Sequence, residues 1–328
     1  MTLYVDTRYA GAHGIGRFAS EVLPRLTAAW TPVPRLHGNP TTTLDALRPA
    51  RWRLREDDRL YSPGYAAGPT RATQLLTIHD LIHLEDPEQA TPLKRAYYSR
   101  VVRPAVRRTR VVMTVSETSR RAIESWVDDA HVEVVDVGNG CSPAFRPDPA
   151  STRDPDTFVY VGNTKPHKNL ITALAALAVD RDARLVAVTP HATAVRQLAA
   201  GLGVEPRVEV VTGVDDETLA GIYRAAAALV MPSTLEGFGL PALEAVSCGT
   251  PIAYWAGCPS IAEIVGDAGV PVGSPTDPHE WAAGMRGAAE LGTVTPAASW
   301  RERYDWDHVA RRVDTVLERS AQASAVSR

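Results

Sequence analysis

The segment Pro232-Ser233-Thr234-Leu235-Glu236-Gly237-Phe238-Gly239-Leu240-Pro241-Ala242-Leu243-Glu244-Ala245 follows an apolar run from Ala225 to Met231. A short, uninterrupted apolar run reads as a strand buried on both faces, as parallel sheets require. Two glycines then flank Phe238, and Pro241 suits the first turn of a helix, where its missing N–H has no partner to lose. From Leu240 to Val246 the pattern is helical, and Cys248-Gly249 places a glycine where a helix ends. The unit is therefore strand, glycine-bearing loop, helix. In an open α/β sheet that junction lies at the carboxyl ends of the strands, where ligands bind. Glu236 sits in the loop and Glu244 about one turn into the helix, with backbone N–H groups between them. The arrangement suits a ligand that carries both hydroxyls and an anionic group. A plain glycine turn with two surface glutamates is the alternative.

The chain of 328 residues is long enough for about two domains. With 45% hydrophobic and 22% charged residues it has the composition of a globular protein with a sizeable core. A net charge of −3 excludes a strongly basic nucleic-acid binder. The charge is uneven: residues 1–150 carry 20 Lys and Arg against 17 Asp and Glu, and residues 151–328 carry 15 against 21. Cys141, Cys248 and Cys258 have no metal-ligand spacing and cannot all pair, which points to a reducing cytoplasm. The opening Met-Thr-Leu-Tyr-Val-Asp lacks a basic n-region and an apolar h-region, so secretion is not expected. No run reaches the roughly 18 apolar residues that span a bilayer. Lysine is rare: Lys94, Lys165 and Lys168 are the only three, and two of them share one loop.

Taken in order, Leu3 to Val5 is a short strand. It leads through Asp6 to Phe18, with Gly14 and Gly16 at a strand-to-helix turn, into a helix to about Trp30. Thr31 to Asp58 is rich in proline, threonine and arginine and yields no assignment. Arg59–Ser62 and Gln74–Ile78 are strands, the second placing His79 at its carboxyl end. Thr91 to Arg110 reads as a helix interrupted near Pro104. One face carries Arg100, Arg103, Arg107, Arg108 and Arg110, either as a solvated face or as a patch for an anionic acceptor or acidic lipid heads. Val111–Val115 and Val132–Val137 are strands around a helix capped at Ser116, and Gly138-Asn139-Gly140 is a tight turn. Pro147, Pro149 and Pro155 mark a boundary over Phe145 to Asp156. The alternation then restarts. Strands fall at Phe158–Val161, Arg184–Val188 and Val208–Val211, with a helix to about Ala178 after the loop Gly162–Asn169 and another over Ala192–Leu202. Asp215 and Asp216 form the N-cap and first turn of a helix over Glu217–Ala226. Shorter elements follow at Pro251–Tyr254, Ser260–Val265 and Gly269–Val272, then helices over His279–Glu290 and Trp300–Arg319, with a frayed tail after Ser320. Such alternation implies parallel sheets with helices on both faces.

In that order these segments resemble the GT-B retaining glycosyltransferases of family 4, the glycosyl transferases group 1. The resemblance rests on Gly14-Ile15-Gly16-Arg17, Thr77-Ile78-His79-Asp80, Val115-Ser116, Val137 to Gly140 with Phe145, Tyr160 to Leu170, and Pro232 to Gly249 with Ser260 to Ile264. The two glutamates eight positions apart in a Glu-Gly-Phe-Gly-Leu-Pro context, with the lysine loop upstream, are its most specific part. Within the family the match looks most like bacterial mannosyltransferases of polysaccharide assembly. The resemblance implies an α/β fold of two Rossmann-like domains facing a cleft. It divides the chain into an acceptor-side domain over 1–146, a nucleotide-sugar domain over 147–304, and a helix over 305–328 that packs back on the first domain.

Residue by residue, the resemblance assigns Lys168 to the donor diphosphate, Glu236 to the sugar hydroxyls and Glu244 to the ribose diol. Gly237, Phe238, Gly239 and Leu240 belong to the loop whose backbone meets sugar and phosphate. Gly16 is the first-domain glycine whose amide approaches the phosphate, with Gly14 and Arg17 on the acceptor side, and His79 lies over the donor sugar. The family often has an arginine where this chain has Asn163, and Lys165 is a candidate replacement. The implied catalytic set is His79, Glu236 and Lys168. Loss of the nucleoside diphosphate gives oxocarbenium character, and the acceptor hydroxyl attacks the same face, so the anomeric configuration is retained. No metal and no other cofactor is expected, and domain closure about Phe145–Asp156 completes the site. The expected partners are a nucleotide sugar, GDP-mannose first and a UDP- or dTDP-sugar second, and a glycan, lipid-linked or small-molecule acceptor. The enzyme is expected in the cytoplasm or peripherally at the inner membrane face. A nucleotide-sugar epimerase and an inactive sugar-nucleotide-binding module are the competing readings.

Overall fold

A computed structural model describes residues 2–326, except 10, 12, 13, 41, 43, 44, 46, 47, 49, 50, 52 and 87–89; side chains are described to residue 322. His13 of the first glycine-bearing turn lies outside the described residues. The chain divides into two compact units, Met1–Gly140 together with Glu302–Arg328, and Cys141–Arg301.

In the first unit the strands are β1 (Leu3–Val5), β2 (Trp30–Pro32), β3 (Arg59–Ser62), β4 (Thr73–Leu76), β5 (Val111–Thr114) and β6 (Glu133–Asp136). They pair in parallel in the order β2-β1-β3-β4, and β5 pairs with β6. A single bridge from Thr77 to Met113 joins the two groups. The helix Gly14–Val22 is shorter than its pattern suggested. Pro24 cannot continue an α-helix, so a 3-10 turn over Leu23–Arg25 ends it, and Trp30 begins β2 instead. The Thr91–Arg110 segment is helical with the interruption before Pro104 realised as a π-turn over Tyr98–Val102, between α-helices Pro92–Tyr97 and Arg103–Thr109. A wider turn relieves the clash that a proline ring makes with the carbonyl four residues back.

The last helix, Trp306–Val326, belongs to the first unit and buries Trp306, Val309, Val313 and Leu317 at helical spacing. It does not continue from Trp300. The Asp305 carboxylate accepts from the His308 N–H at 3.0 Å, an N-cap that separates it from the short helix Ala298–Arg303. The helix also runs beyond Ser320, where a frayed tail was expected. Its buried Asp314 accepts from the Thr27 N–H and hydroxyl, both at 2.8 Å, and from the Ala28 N–H at 3.2 Å, so the buried charge is satisfied three times. A second buried network occupies the segment that the sequence left unassigned. Arg8 bridges Asp6 at 2.6 Å and Asp45 at 2.5 Å, and Arg51 donates to Asp45 at 2.7 Å. Burial alone would raise the Asp45 carboxyl, but hydrogen bonds from Arg8 and Arg51 hold it below its ordinary range.

The second unit is one six-stranded parallel sheet: β7 (Asp154–Val161), β8 (Arg184–Val188), β9 (Val208–Val211), β10 (Ala226–Met231), β11 (Ile252–Trp255) and β12 (Gly269–Val272), in the order β12-β11-β10-β7-β8-β9. All six residues of β10 are buried, as its unbroken apolar sequence requires. β7 begins at Asp154, inside the stretch read as a boundary. Its register against β10 shifts between Ala226 and Ala228, which takes up the extra length around Pro155. Leu170, Ala173, Leu174 and Leu177 from one covering helix and Trp281 and Met285 from another close the core. Trp281 is fully buried, and its indole N–H donates to Ser274 O at 3.0 Å.

Candidate functional site

β7 and β10 are neighbours in space, yet the chain leaves β7 toward β8 and β9 on one side and leaves β10 toward β11 and β12 on the other. The strand order therefore reverses between them, the point at which an open α/β sheet places a ligand crevice beyond the carboxyl ends of its strands. The loop after β7 is Gly162–Asn169 and the loop after β10 is Pro232–Gly239.

A 3-10 turn over Pro166–Lys168 docks the first loop on the second. Thr234 N–H donates to His167 O at 2.8 Å. Asn169, held at φ 51°, sends its amide N–H groups to Pro232 O at 3.3 Å and Pro275 O at 2.6 Å, while its own oxygen accepts from the Thr172 hydroxyl. These contacts bring Lys168 Nζ to 2.6 Å from Glu236 Oε1, with the two side chains 16% and 10% exposed. Ser260 fixes the other end of the glutamate by donating to Glu236 O at 2.8 Å. Lys168 has three donors and Glu236 takes one, so the ammonium retains donors for an anion arriving in the crevice.

The second lysine is placed differently. Asn163 Oδ1 accepts from the Lys165 N–H at 3.0 Å, closing an Asx turn, and Asn163 O accepts from the Tyr160 hydroxyl at 2.6 Å. Lys165 itself is exposed. Asn163 thus shapes the loop, and Lys168 is the cation that stands against the carboxylate.

Gly237, Phe238 and Gly239 are buried at the entrance to the helix Leu240–Ser247. Gly239 has φ 108°, a conformation that only glycine adopts readily, and as the N-cap it offers no side chain to the first-turn N–H groups. Its carbonyl accepts from Ala242 and Leu243, while Pro241 brings no N–H. Glu244 lies on the same helix, 5% exposed, with Oε2 accepting from the Tyr223 hydroxyl at 3.0 Å. Burial, and then the Glu244 charge, push the Tyr223 hydroxyl well above its usual range, so it stays a proton donor. Burial likewise raises Cys248 to about 12 and Cys258 above its ordinary value, leaving both as inert thiols.

The other predicted residues belong to the first unit. Gly14, Gly16 and Arg17 lie within the helix Gly14–Val22 rather than in a loop before it, with Gly16 buried. His79 follows β4 and is 9% exposed. Its Nε2 stands 2.9 Å from Pro63 O, and because a carbonyl only accepts, Nε2 carries a proton. The ring meets Phe18 edge-on at 4.9 Å, which ties His79 to the helix that bears Gly16. Tyr223, Asn169 and Ser260 were missed in the sequence. Each acts through a partner that is remote in the chain, and no local spacing signals such a bond.

Residues 142–294 match the family model described as glycosyl transferases group 1. The O-antigen chain mannosyltransferase RfbU of Salmonella typhimurium is 24% identical over 92% of this chain and 88% of its own length. The D-inositol 3-phosphate glycosyltransferase of Frankia alni is 36% identical over 44% of this chain and 41% of its own length. Among solved structures, the lipopolysaccharide-biosynthesis glycosyltransferase WaaG aligns over 99% of both chains with a TM-score of 0.63 at 17% identity. The sucrose-phosphate synthase of Thermosynechococcus elongatus aligns over 81% of this chain and 74% of its own, with a TM-score of 0.61 at 21% identity. At such identities the structures establish the GT-B fold alone. Residues 142–294, a little under half of the chain, thus carry the sequence pattern of the glycosyl transferases group 1.

Proposed function

We propose that the protein transfers a hexose from a nucleoside-diphosphate sugar to an acceptor hydroxyl with retention of anomeric configuration, and that GDP-mannose is the donor. The observation that carries this reading is the Lys168–Glu236 pair at the β7/β10 switch point, beside the glycine-bearing helix entrance. A diphosphate there meets the lysine cation and the positive end of the helix Leu240–Ser247. As the glycosidic bond breaks, negative charge grows on the leaving phosphate, and a fixed cation favours that charge over the ground state. Glu236, held by Lys168 and Ser260, offers its remaining lone pairs to sugar hydroxyls, and Glu244 takes the ribose. The leaving phosphate accepts the acceptor proton, so the chemistry proposed requires neither an enzyme nucleophile nor a metal. The mannosyl donor is favoured by the similarity to RfbU and to an Escherichia coli O-antigen chain mannosyltransferase that is 28% identical over 253 residues.

The acceptor is proposed to be a glycan or a lipid-linked saccharide reached from the cytoplasmic membrane face. Residues 91–110 hold seven Lys and Arg and no Asp or Glu. Arg107 donates to Val127 O and Asp128 O, Arg108 donates to Thr70 O and Ala72 O, and Arg103 lies 5.0 Å over the Trp126 ring. These contacts, with Asp129 3.9 Å from Arg107, orient the guanidinium groups along this segment. Among the described residues no helix is long and apolar enough to cross a membrane, so contact through this face would be peripheral.

Thermal stabilisation by GDP-mannose, UDP-sugars and dTDP-sugars, all at one common concentration, ranks the donors: a ligand present at about 100 times its Kd stabilises by about 2.7 kcal/mol, and one that does not bind gives no shift. Transfer is then measured as nucleoside diphosphate released in the presence of acceptor. Transfer that survives both Glu236→Ala and Lys168→Ala would refute the assignment.

A further inference from the structure

Glu244 is a carboxylate in a place where a lone negative charge is unstable. It is 5% exposed and sits in the middle of the helix Leu240–Ser247. A buried charge persists only when hydrogen bonds fix and satisfy it. Tyr223 supplies one such bond, from the preceding helix Asp216–Ala225, at 3.0 Å to Oε2.

Tyr223 is itself held on three sides. Its backbone carbonyl accepts from the Thr250 hydroxyl at 2.7 Å, beyond the end of the Glu244 helix. Phe145 packs on its ring at 6.1 Å and 65°, and the side chain is fully buried. A phenol with two torsions, seated this way, holds its hydroxyl at one point in space. The bond therefore restricts the Glu244 carboxylate to one orientation and occupies one of its roughly four lone-pair positions.

We infer that Tyr223 is a positioning residue for donor recognition: its hydroxyl aims Glu244 at the cis-diol of the nucleotide ribose and thereby discriminates against 2′-deoxyribose donors. This rests on the reading of Glu244 as the ribose ligand. A buried acceptor built for two hydroxyls loses a partner when one is missing, which is how such sites reject deoxy analogues. An unaimed carboxylate would accept from the 3′-hydroxyl alone nearly as well as from the pair. Nucleotide choice then includes the sugar ring, with thymidine-type donors disfavoured.

The test compares GDP with 2′-deoxy-GDP, and UDP with 2′-deoxy-UDP, as ligands of the full chain by calorimetry, in wild type, Tyr223→Phe and Glu244→Gln. Phenylalanine keeps the ring in its packing and removes only the hydroxyl. The expected result is a ribose preference in wild type that falls about tenfold in Tyr223→Phe, through weaker ribonucleotide binding with deoxynucleotide binding little changed. With donor sugar the same variant raises KM and leaves kcat within about twofold, the mark of a lost binding interaction. If Glu244→Gln abolishes the preference but Tyr223→Phe retains it, the inference is overturned and the role of Glu244 stands. If Glu244→Gln also retains it, the role of Glu244 fails and the inference with it. Equal weakening of ribo- and deoxyribonucleotides in Tyr223→Phe shows a general packing lesion and equally overturns the inference.

Discussion

Replacing Lys168 by methionine keeps the stem of the side chain and removes the ammonium that stands 2.6 Å from Glu236. Two consequences separate. In the free protein Glu236, only 10% exposed, is left without its counter-ion. Hydrogen bonds to charged groups are worth about 1.5–3 kcal/mol, and the rest of the Glu236 environment can relax toward water. A loss of about 2 kcal/mol lowers Tm by roughly 4–8 °C in a domain of this size. Adding Glu236→Gln removes the stranded charge, so the double variant recovers much of that stability, with a coupling energy of about 1–2 kcal/mol. In catalysis the outcome differs. A donor aimed at developing charge contributes about 2.7–4 kcal/mol, so Lys168→Met loses about 10²–10³ in kcat/KM. Adding Glu236→Gln does not restore it. Differential scanning calorimetry and steady-state rates on the four proteins make the cycle complete. Additive Tm changes would show that the pair does not form in solution. A kcat/KM within tenfold of wild type in Lys168→Met would refute the lysine as the cation for the leaving group.

Gly140→Ala places a Cβ 2.3 Å from Trp306 Cδ2, a distance no side chain tolerates, so the indole must move. The expected outcome is a Tm lower by the equivalent of about 1–3 kcal/mol, with a shifted indole emission; an unchanged Tm would show that the turn gives way freely. Asp180 is hydrogen-bonded by Arg286 at 2.5 Å, and that bond holds its carboxyl below the ordinary range. A carboxylate with a depressed folded pKa contributes stability above its unfolded value, about pH 4, and that stability is lost as pH falls through the folded value. Acid unfolding curves of wild type and Asp180→Asn are thus expected to differ at neutral pH and to converge below about pH 4. Curves that run parallel across that range would exclude the linkage.

Much of the second unit was decided by its own sequence. β8 and β9 fall where alternation placed them, β10 is as buried as its apolar run demands, and Gly239 and Pro241 mark the helix start for local steric reasons. Periodicity and turn chemistry act over a few residues, so they are legible in one chain. The helix breaks at Pro24 and Asp305 went unread, because which of several competing local signals prevails depends on what the segment packs against. The segment around Asp45 gave no periodic signal because it is held by charges from residues that lie far from it in sequence.

Glu236 and Glu244 were visible as a pair of carboxylates flanking a glycine loop, and the resemblance gave them separate tasks. Their immediate partners were not visible. Lys168 meets Glu236 because β7 and β10 are neighbours at the point where strand order reverses, and Tyr223 meets Glu244 because two consecutive helices pack side by side. Those contacts arise from long-range pairing of parallel strands, which one-dimensional spacing does not encode. The sequence determined which residues carry charge and hydroxyls; the tertiary structure decided which of them stand within hydrogen-bond reach.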